Sequence, residues 1–251
     1  MAGHNKWSKV KRLKGALDAK RGNLFSKLAK EITLAARTGS GSPEGNARLR
    51  SAVLTARGVS MPNDNIDRAI KRGTGAGDDA AHLEEITDEG YGPGGVALIL
   101  EAATDNKNRT TQDLRGIFSK HGGHLASSGS VAFQFHRRGQ ITIPRAAATE
   151  NQVMEAALHA GADDISGDEE HHVVVTAHDA LYAVAEALKR AGIEPDAMKL
   201  TYLPDNHVTI NEAQLAAQFL RLSDALEDND DVQHVHAHAE IADDILLRID
   251  G

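Results

Sequence analysis

A change in the sign of the charge divides this chain, and no other feature of the sequence constrains the fold as strongly. Residues 1–72 contain 16 Lys and Arg but only 5 Asp and Glu, a net charge of +11. The remaining 179 residues carry 12 basic and 31 acidic side chains, a net charge of −19. Such asymmetry predicts a polyanion partner for the basic end. The alternatives are a solvated helix face, or a basic face that docks on the protein's own acidic body.

The boundary between the two parts is predicted at residues 73–77. This segment reads Gly-Thr-Gly-Ala-Gly and is followed by Asp78 and Asp79, a composition typical of a flexible, soluble linker. It is not a phosphate-binding loop, because no Lys-Ser or Lys-Thr pair follows it and no strand is predicted before it. We therefore predict a first domain over residues 1–77.

Three amphipathic helices are predicted in the basic part, over residues 23–38, residues 47–57, and from Pro62 to Gly73. Each has one narrow apolar stripe, such as the one that Leu24, Leu28 and Ile32 form in the first helix. Helices of this kind are not stable alone, so we expect a small three-helix bundle. The preceding tail has little apolar content, and we expect it to be loose until a partner neutralises its charge.

The acidic part has the pattern of an α+β protein. Strands are predicted over residues 84–91, as an edge strand, 96–103 and 130–135, and a helix over residues 109–121 with Asn108 as its N-cap. The order β-α-β-β-α-β of a ferredoxin-like unit follows over residues 140–203. A helix over residues 213–226 and a strand over residues 231–239 come last.

The elements before the ferredoxin-like unit are too few to cover their own sheet, and the last helix and strand would complete it. We therefore predict a discontinuous α/β middle domain, residues 78–137 plus 206–251, into which residues 138–205 are inserted. The predicted fold class is α+β, with an N-terminal three-helix domain, this middle domain and the inserted ferredoxin-like domain.

Two features are candidates for metal chemistry: a trio of histidines, and the acidic clusters, where Mg²⁺ binding is the alternative to solvated turns. His234, His236 and His238 are spaced two apart, so on a strand all three would face the same way and could bind Zn²⁺ or Ni²⁺. The alternative, which we favour, is an exposed strand face with ordinary polar histidines, because no fourth ligand can be named. Since the chain has no Cys, disulfides, thiolate nucleophiles and Cys-based zinc sites are excluded.

No catalytic constellation is evident. The motifs G-x-S-x-G, G-x-G-x-x-G and H-E-x-x-H are absent, and the acidic clusters read as solvated turns. We predict no enzyme, no catalytic residue, no cofactor and no metal, and a His-dependent metalloenzyme is kept only as a third hypothesis. Arg109 sits at a predicted helix start, where a cation opposes the macrodipole. This indicates either a functional contact or a salt bridge to Asp105 or Asp113.

Nucleic acid is the partner that composition favours, because phosphate neutralisation needs only a high density of Lys and Arg. If about 6 of these groups meet phosphates, affinity should fall with a log–log salt slope of roughly −5. Aromatics make up only 4 % of the chain, so base stacking is not expected as the main mode. The single Trp, Trp7, either anchors the tail or stacks on a base or ribose. The helix that carries Arg68, Lys71 and Arg72 could enter a groove.

Several stretches together resemble the YebC/PmpR family. They are residues 1–7 (MAGHNKW), 18–22 (DAKRG), 25–27 (FSK), 46–50 (NARLR), 61–62 (MP), 66–73 (IDRAIKRG), 89–95 (EGYGPGG), 105–110 (DNKNRT), 122–123 (GG), 129–131 (GSV) and 155–163 (EAALHAGAD). The resemblance implies three domains, the first helical and the other two α/β, with the last inserted in the middle one. It also implies a transcriptional regulator that binds DNA and has no catalytic activity. Some members, including a mitochondrial relative that activates translation, act instead on the ribosome.

Together these observations predict a cytoplasmic, non-enzymatic, DNA-binding transcriptional regulator, with a translation factor that contacts RNA or the ribosome as the alternative. No membrane partner is expected: the longest apolar run is short and no signal peptide is evident. The oligomeric state is not predicted. The residues expected to contact nucleic acid are Lys6, Trp7, Lys9, Lys11, Arg12, Lys14, Lys20, Arg21, Lys27, Lys30, Arg48, Arg50, Arg68, Lys71, Arg72 and Arg109.

Overall fold

The computed structural model describes residues 20–75 and 83–249. Within those residues the chain forms two compact units, one of residues 134–206 and the other of residues before 134 together with residues after 206. The basic tail that precedes residue 20 lies outside the described residues. None of the helices in the described ranges is long and apolar enough to cross a membrane.

The three predicted helices are present, and they pack around one apolar core. They are α1 (Lys20–Thr38), α2 (Ala47–Gly58) and α3 (Asn63–Gly73). Ile32, Leu49, Val53 and Ile66 are buried together at the centre of the bundle. Asn46 connects two of the helices, because its side chain caps α2 at Leu49 N and also donates to Ala35 O of α1 at 2.7 Å.

Helix α1 is buried on more than the one stripe that its sequence predicts. Leu34 lies outside the bundle core and packs with Leu83 and Ala103 of the acidic part. Leu24, expected to face inward, is 39 % exposed. The prediction of a single stripe was therefore wrong, because α1 lies between the other two helices and the neighbouring sheet.

The remaining elements are strands and helices. In chain order they are β1 (Glu84–Tyr91), β2 (Ala97–Thr104), α4 (Lys107–Lys120), β3 (His124–Ala126), β4 (Phe135–Pro144), α5 (Glu150–Leu158), β5 (Ala162–Gly167), β6 (His171–Ala177), α6 (Leu181–Arg190), β7 (Ala197–Pro204), β8 (Val208–Ile210), α7 (Ala213–Glu227), β9 (Val232–Ala237), β10 (Ala239–Ile241) and α8 (Asp243–Ile249).

The first sheet has the strand order β3-β1-β2-β9, so its last strand comes from the chain beyond the ferredoxin-like unit. Strand β9 runs antiparallel to β2, and Ile99 lies opposite His236. Strand β1 is not an edge strand as predicted, because its last three residues pair with β3. Helix α4 covers one face of this sheet, where a Cβ atom on Gly90 would lie 2.6 Å from Phe118. A short parallel pair, β8 with β10, follows.

The unit of residues 134–206 contains a four-stranded sheet of order β5-β6-β4-β7, in which every pairing is antiparallel. Helices α5 and α6 share one core with this sheet, where Ile141, Val174, Val153 and Leu188 are buried. This is the ferredoxin-like order expected from the sequence. The predicted fold class is thereby confirmed, whereas the exact bounds of three domains stay a prediction.

Two local predictions were wrong for identifiable reasons. Residues 130–135 do not form a strand: a 3₁₀ turn covers Ala132–Gln134 and Phe133 is 72 % exposed. The backbone N–H groups of Val131 and Ala132 donate to a buried carboxylate, that of Glu89, and so cannot join a ladder. The N-cap of α4 is Asn106 and not Asn108, because the Asn106 side chain accepts from Arg109 N.

Helix α3 approaches α1 closely at Gly73, and this contact generates a test of the packing. A Cβ atom on Gly73 would lie 2.3 Å from Thr33 O and 2.8 Å from the Ala36 Cβ. We expect Gly73→Ala to lower the free energy of unfolding by about 1–3 kcal/mol, because the added methyl group overpacks the contact. Thermal and urea denaturation followed by circular dichroism measure the change.

The matched control is Gly58→Ala, which makes the same substitution at the end of α2. Nothing lies within 4 Å of a Cβ atom at Gly58. We expect this variant to unfold like the wild type. Equal stability of the two variants would contradict the close packing of α3 on α1.

Candidate nucleic-acid interface

The predicted contact residues separate into groups once their neighbours are known. The structure describes the side chains of Lys27, Lys30, Arg48, Arg50, Arg68, Lys71, Arg72 and Arg109. The other predicted contacts, which are Lys6, Trp7, Lys9, Lys11, Arg12, Lys14, Lys20 and Arg21, fall where side chains are not described. Among the described side chains, some are paired with acidic or carbonyl groups and others are not.

The Asp231 carboxylate is the centre of the paired group. Its side chain is 10 % exposed and accepts hydrogen bonds from Lys30 Nζ at 2.6 Å, Thr110 Oγ1 at 2.6 Å and Arg109 Nη2 at 3.0 Å. Burial alone would raise the pKa of Asp231, but these hydrogen bonds outweigh it and lower the pKa to about 2. Asp231 immediately precedes β9, so its carboxylate connects this strand to α1 and α4.

Arg109 has two acidic partners, and only one of them was considered from the sequence. It pairs with Asp105 at 2.9 Å across one helical turn and with Asp231 from a distant part of the chain. The two carboxylates compensate a cation at the start of α4 that would otherwise oppose the helix dipole. Asp231 lies 122 residues away in sequence. No local pattern could therefore identify it.

The carbonyl groups at the end of α7 receive further donors from α1. Lys27 Nζ donates to Glu227 O, and Asn23 Nδ2 donates to Asp228 O at 2.8 Å. Lys30 Nζ also donates to Asp230 O at 2.9 Å. Because a helix C-terminus carries partial negative charge, this is a favourable place for lysine ammonium groups. One side of α1 is therefore docked by its cations on the C-terminal end of α7.

Arg48 forms the second paired contact between the bundle and the sheet. Its guanidinium binds Glu31 in a bidentate manner, at 2.8 and 2.9 Å, and Glu85 of β1 at 2.6 Å. These two acids raise the pKa of Arg48 further above its ordinary value against the opposing effect of burial. Arg50 donates to Pro43 O at 3.1 Å and so belongs to the turn that precedes α2. We call Lys27, Lys30, Arg48 and Arg109 with their partners the docking clasp.

Helix α3 carries the basic side chains that the clasp does not use. Arg68 and Lys71 are exposed, Arg72 is half-buried, and none of the three has an acidic partner within the described ranges. Arg68 and Arg72 are four residues apart, so they lie on one face of the helix, roughly 6 Å apart at their Cβ atoms. Two guanidinium groups on one face of a helix are suited to binding phosphate oxygens.

An open groove between α1 and α3 lies beside these two arginines. Its apolar lining includes Phe25, Ala29 and Met61, and its polar lining includes Asn65, Arg68 and Arg72. Its volume is about 210 Å³. Pockets that enclose small-molecule ligands are larger, roughly 300–1,000 Å³. The groove is thus a surface feature that a larger partner could follow, and not an enclosed ligand site.

The three histidines considered as metal ligands do not converge. His236 Nε2 contacts Glu101 Oε2 at 2.9 Å, whereas His234 is exposed with its ring centroid 6.0 Å from that of His236. His238 follows β9, is buried, and its Nδ1 accepts from Ala97 N at 3.1 Å. In the parts of the chain that are described, no group of three or more His, Asp or Glu side chains is placed to hold a metal ion.

Asp231→Asn tests the docking clasp through its pH dependence. The folded pKa of about 2 lies below the ordinary value of 3.8, so the ionised carboxylate stabilises the fold above about pH 4. This contribution, about 2 kcal/mol, disappears as the pH falls towards 2. We expect urea denaturation to show Asp231→Asn less stable than the wild type at pH 7, with the difference shrinking in acid.

Asp230→Asn is the matched control for this measurement. Asp230 is exposed, and its contact with the clasp is made by its backbone carbonyl, which the substitution retains. We expect the control to follow the wild-type stability curve at every pH. A difference between Asp231→Asn and the wild type that did not depend on pH would contradict the role of the ionised carboxylate.

The comparisons with known proteins agree over almost the whole chain. Residues 5–76 match the model of the TACO1/YebC protein N-terminal domain, and residues 83–239 match that of the TACO1/YebC second and third domain. A relative from Rubrobacter xylanophilus, named "Probable transcriptional regulatory protein", is 52 % identical over 251 residues and the full length of both chains. A relative of the same name from Opitutus terrae is 51 % identical, covering 98 % of this chain and 99 % of its own.

A solved structure supports the same assignment. The crystal structure of a conserved hypothetical protein, Aq1575 from Aquifex aeolicus, superposes with a TM-score of 0.81 at 44 % sequence identity. The match covers 90 % of this chain and 93 % of that one. The resemblance that the sequence motifs indicated is thereby confirmed, and the chain belongs to the TACO1/YebC family.

Proposed function

We propose that this protein is a non-enzymatic regulator that binds nucleic acid, acting in the cytoplasm as a DNA-binding regulator of transcription. The observation that carries the proposal is the set of unpaired cations on α3, namely Arg68, Lys71 and Arg72. The name "Probable transcriptional regulatory protein", which the relatives from Rubrobacter xylanophilus and Opitutus terrae bear, supports a regulatory role.

The division of the cations determines which of the predicted contacts we retain. A lysine or arginine already paired with a carboxylate has its charge compensated, and moving it to a phosphate means breaking that pair. Lys30, Arg48 and Arg109 are compensated in this way. An unpaired guanidinium can instead bind a phosphate directly and release the counterions condensed there. We therefore assign phosphate binding to α3 and a positioning role to the docking clasp.

A second candidate is a translation factor that binds ribosomal or transfer RNA, and one feature of α3 favours it. Asp64 and Asp67 are exposed on the same helix as Arg68. A recognition helix inserted in a DNA major groove has phosphates on both sides, which would repel these acids. A helix that lies along an RNA surface with its arginine face in contact keeps Asp67 away from the phosphates, whereas Asp64, four residues before Arg68, lies on the arginine face. Both candidates use the same cations.

The double substitution Arg68→Gln and Arg72→Gln tests the α3 contact. We expect weaker binding to a 20-base-pair duplex and to a structured RNA, because two phosphate contacts are lost. The log–log salt slope should become shallower by about 2. Fluorescence anisotropy over a series of salt concentrations measures both quantities.

A control variant removes the same charge elsewhere. Arg190 lies on α6 and Arg221 is exposed on α7, so Arg190→Gln with Arg221→Gln changes the net charge by the same amount. We expect this control to retain the wild-type salt slope. If both double variants lost affinity equally, the effect would be one of net charge and α3 would have no specific role.

A competition experiment separates the two candidate functions. The wild-type protein is mixed with promoter-length duplex DNA and with ribosomes at about 150 mM salt, a concentration that weakens purely electrostatic contacts. Retention on promoter DNA, with a preference over random duplex of more than about 10³, is expected of a transcriptional regulator. Cosedimentation with ribosomes together with loss of duplex binding would instead establish the translation factor.

A further inference from the structure

The acidic part of the chain contains one long segment without acidic residues. Residues 114–133 include no Asp or Glu, although 31 acidic side chains are distributed over the 179 residues after position 72. The segment does include Arg115, Lys120 and His124, and all three are exposed. It runs from α4 through β3 into the loop before β4. The segment thus contributes basic side chains and no carboxylate to the surface of an otherwise acidic part of the chain.

A buried carboxylate fixes the shape of the loop in this segment. Glu89 is 5 % exposed and accepts from the backbone N–H groups of Gly129 at 2.6 Å, Val131 at 2.6 Å and Ala132 at 2.9 Å. The loop is held at a further point by Tyr91, whose hydroxyl donates to Ser130 O at 3.0 Å. Burying an ionised carboxyl is costly unless several donors satisfy it. Here the backbone of the loop supplies those donors.

Phe133 stands at the end of this fixed loop and points into solvent. Its exposed fraction is 72 %, which no other large hydrophobic side chain in the described ranges reaches, whereas Val131 two residues earlier is fully buried. A single exposed apolar residue ordinarily needs no explanation. In this case the exposure has a structural cause. The hydrogen bonds to Glu89 hold residues 131 and 132 out of a strand, and Phe133 lies in the 3₁₀ turn that forms instead. The hydrogen-bonded loop therefore keeps the aromatic ring exposed to solvent.

We propose that Phe133 stacks on an unpaired base of a single-stranded nucleic acid, a contact separate from the cations of α3. This inference rests on the proposed binding of nucleic acid and adds a single-stranded segment to the substrate. An aromatic ring can stack on the face of any base, but in a duplex those faces are already covered by neighbouring base pairs. Residues 114–133 themselves contribute no carboxylate that would repel the phosphates of the strand. The nearby Asp205, whose backbone N–H donates to Gln134 O, has its carboxylate 2.7 Å from His136 Nε2.

The test measures binding of the full chain to three fluorescein-labelled probes by anisotropy. They are a 12-nucleotide oligouridylate, an abasic strand of equal length and a 12-base-pair duplex. Loss of one stacked base should weaken oligouridylate binding about tenfold or more in Phe133→Ala. Binding to the abasic strand and to the duplex should not change. Phe133→Trp, which retains an aromatic face, should keep the wild-type pattern.

Leu54→Ala is the matched control, because Leu54 is 51 % exposed on α2 and carries no aromatic ring. It should leave all three affinities unchanged. Both side chains are exposed, so we expect both alanine variants to melt like the wild type, which circular dichroism verifies. If Leu54→Ala weakened oligouridylate binding as much as Phe133→Ala, general apolar contact would explain the result and stacking would be overturned.

The remaining outcomes distinguish this inference from the function on which it rests. Unchanged oligouridylate affinity in Phe133→Ala, with Arg68→Gln and Arg72→Gln still weakening every probe, would overturn the stacking contact and leave the proposed function intact. Loss of ribosome cosedimentation in Phe133→Ala without any change on the oligonucleotides would assign the ring to a ribosomal surface other than an unpaired base of a single strand and would also overturn it. Failure of the wild type to bind any nucleic acid would overturn both.

Discussion

The ionised carboxylate of Asp231 is the interaction on which the arrangement of the larger unit depends. It accepts hydrogen bonds from Lys30 of α1 and from Thr110 and Arg109 of α4, while its backbone carbonyl receives Ala103 N of β2 at 2.8 Å. Without it, Arg109 would keep Asp105, Thr110 would keep Asn106 O and Lys30 would keep Asp230 O, but the link that this carboxylate makes between α1 and α4 would be lost. One acid therefore fixes the bundle, a sheet strand and α4 relative to one another.

This docking determines what the basic charge of the chain can do. Lys30 and Arg48 hold α1 and α2 against the acidic part, which was one of the alternatives to a nucleic-acid contact. Helix α3 is placed by its packing on α1 at Gly73 and keeps Arg68 and Arg72 unpaired. The excess of basic residues thus serves two purposes, internal docking and presentation of free charge. The charge count alone overstates how many cations remain for a partner.

A second buried carboxylate, that of Glu89, organises structure by the same physics at another place. Its acceptor oxygens bind the backbone of the loop before β4, so the alternation of Val131, Phe133 and Phe135 does not become a strand. In both cases a charge is tolerated in a buried position because several donors converge on it. At Glu89 the result is a fixed loop that presents the ring of Phe133 to solvent.

Local periodicity and family motifs determined the helices of the bundle, the ferredoxin-like order and the α+β class, because those signals depend on neighbouring residues. The tertiary structure alone decided which cations are neutralised, since Lys30 and Asp231 are 201 residues apart and Arg48 and Glu85 are 37 apart. It also decided that Phe133 is exposed, because the donors to Glu89 come from 40 to 43 residues away. A sequence specifies which side chains carry charge, whereas the pairing of those charges depends on contacts that only the folded chain brings together.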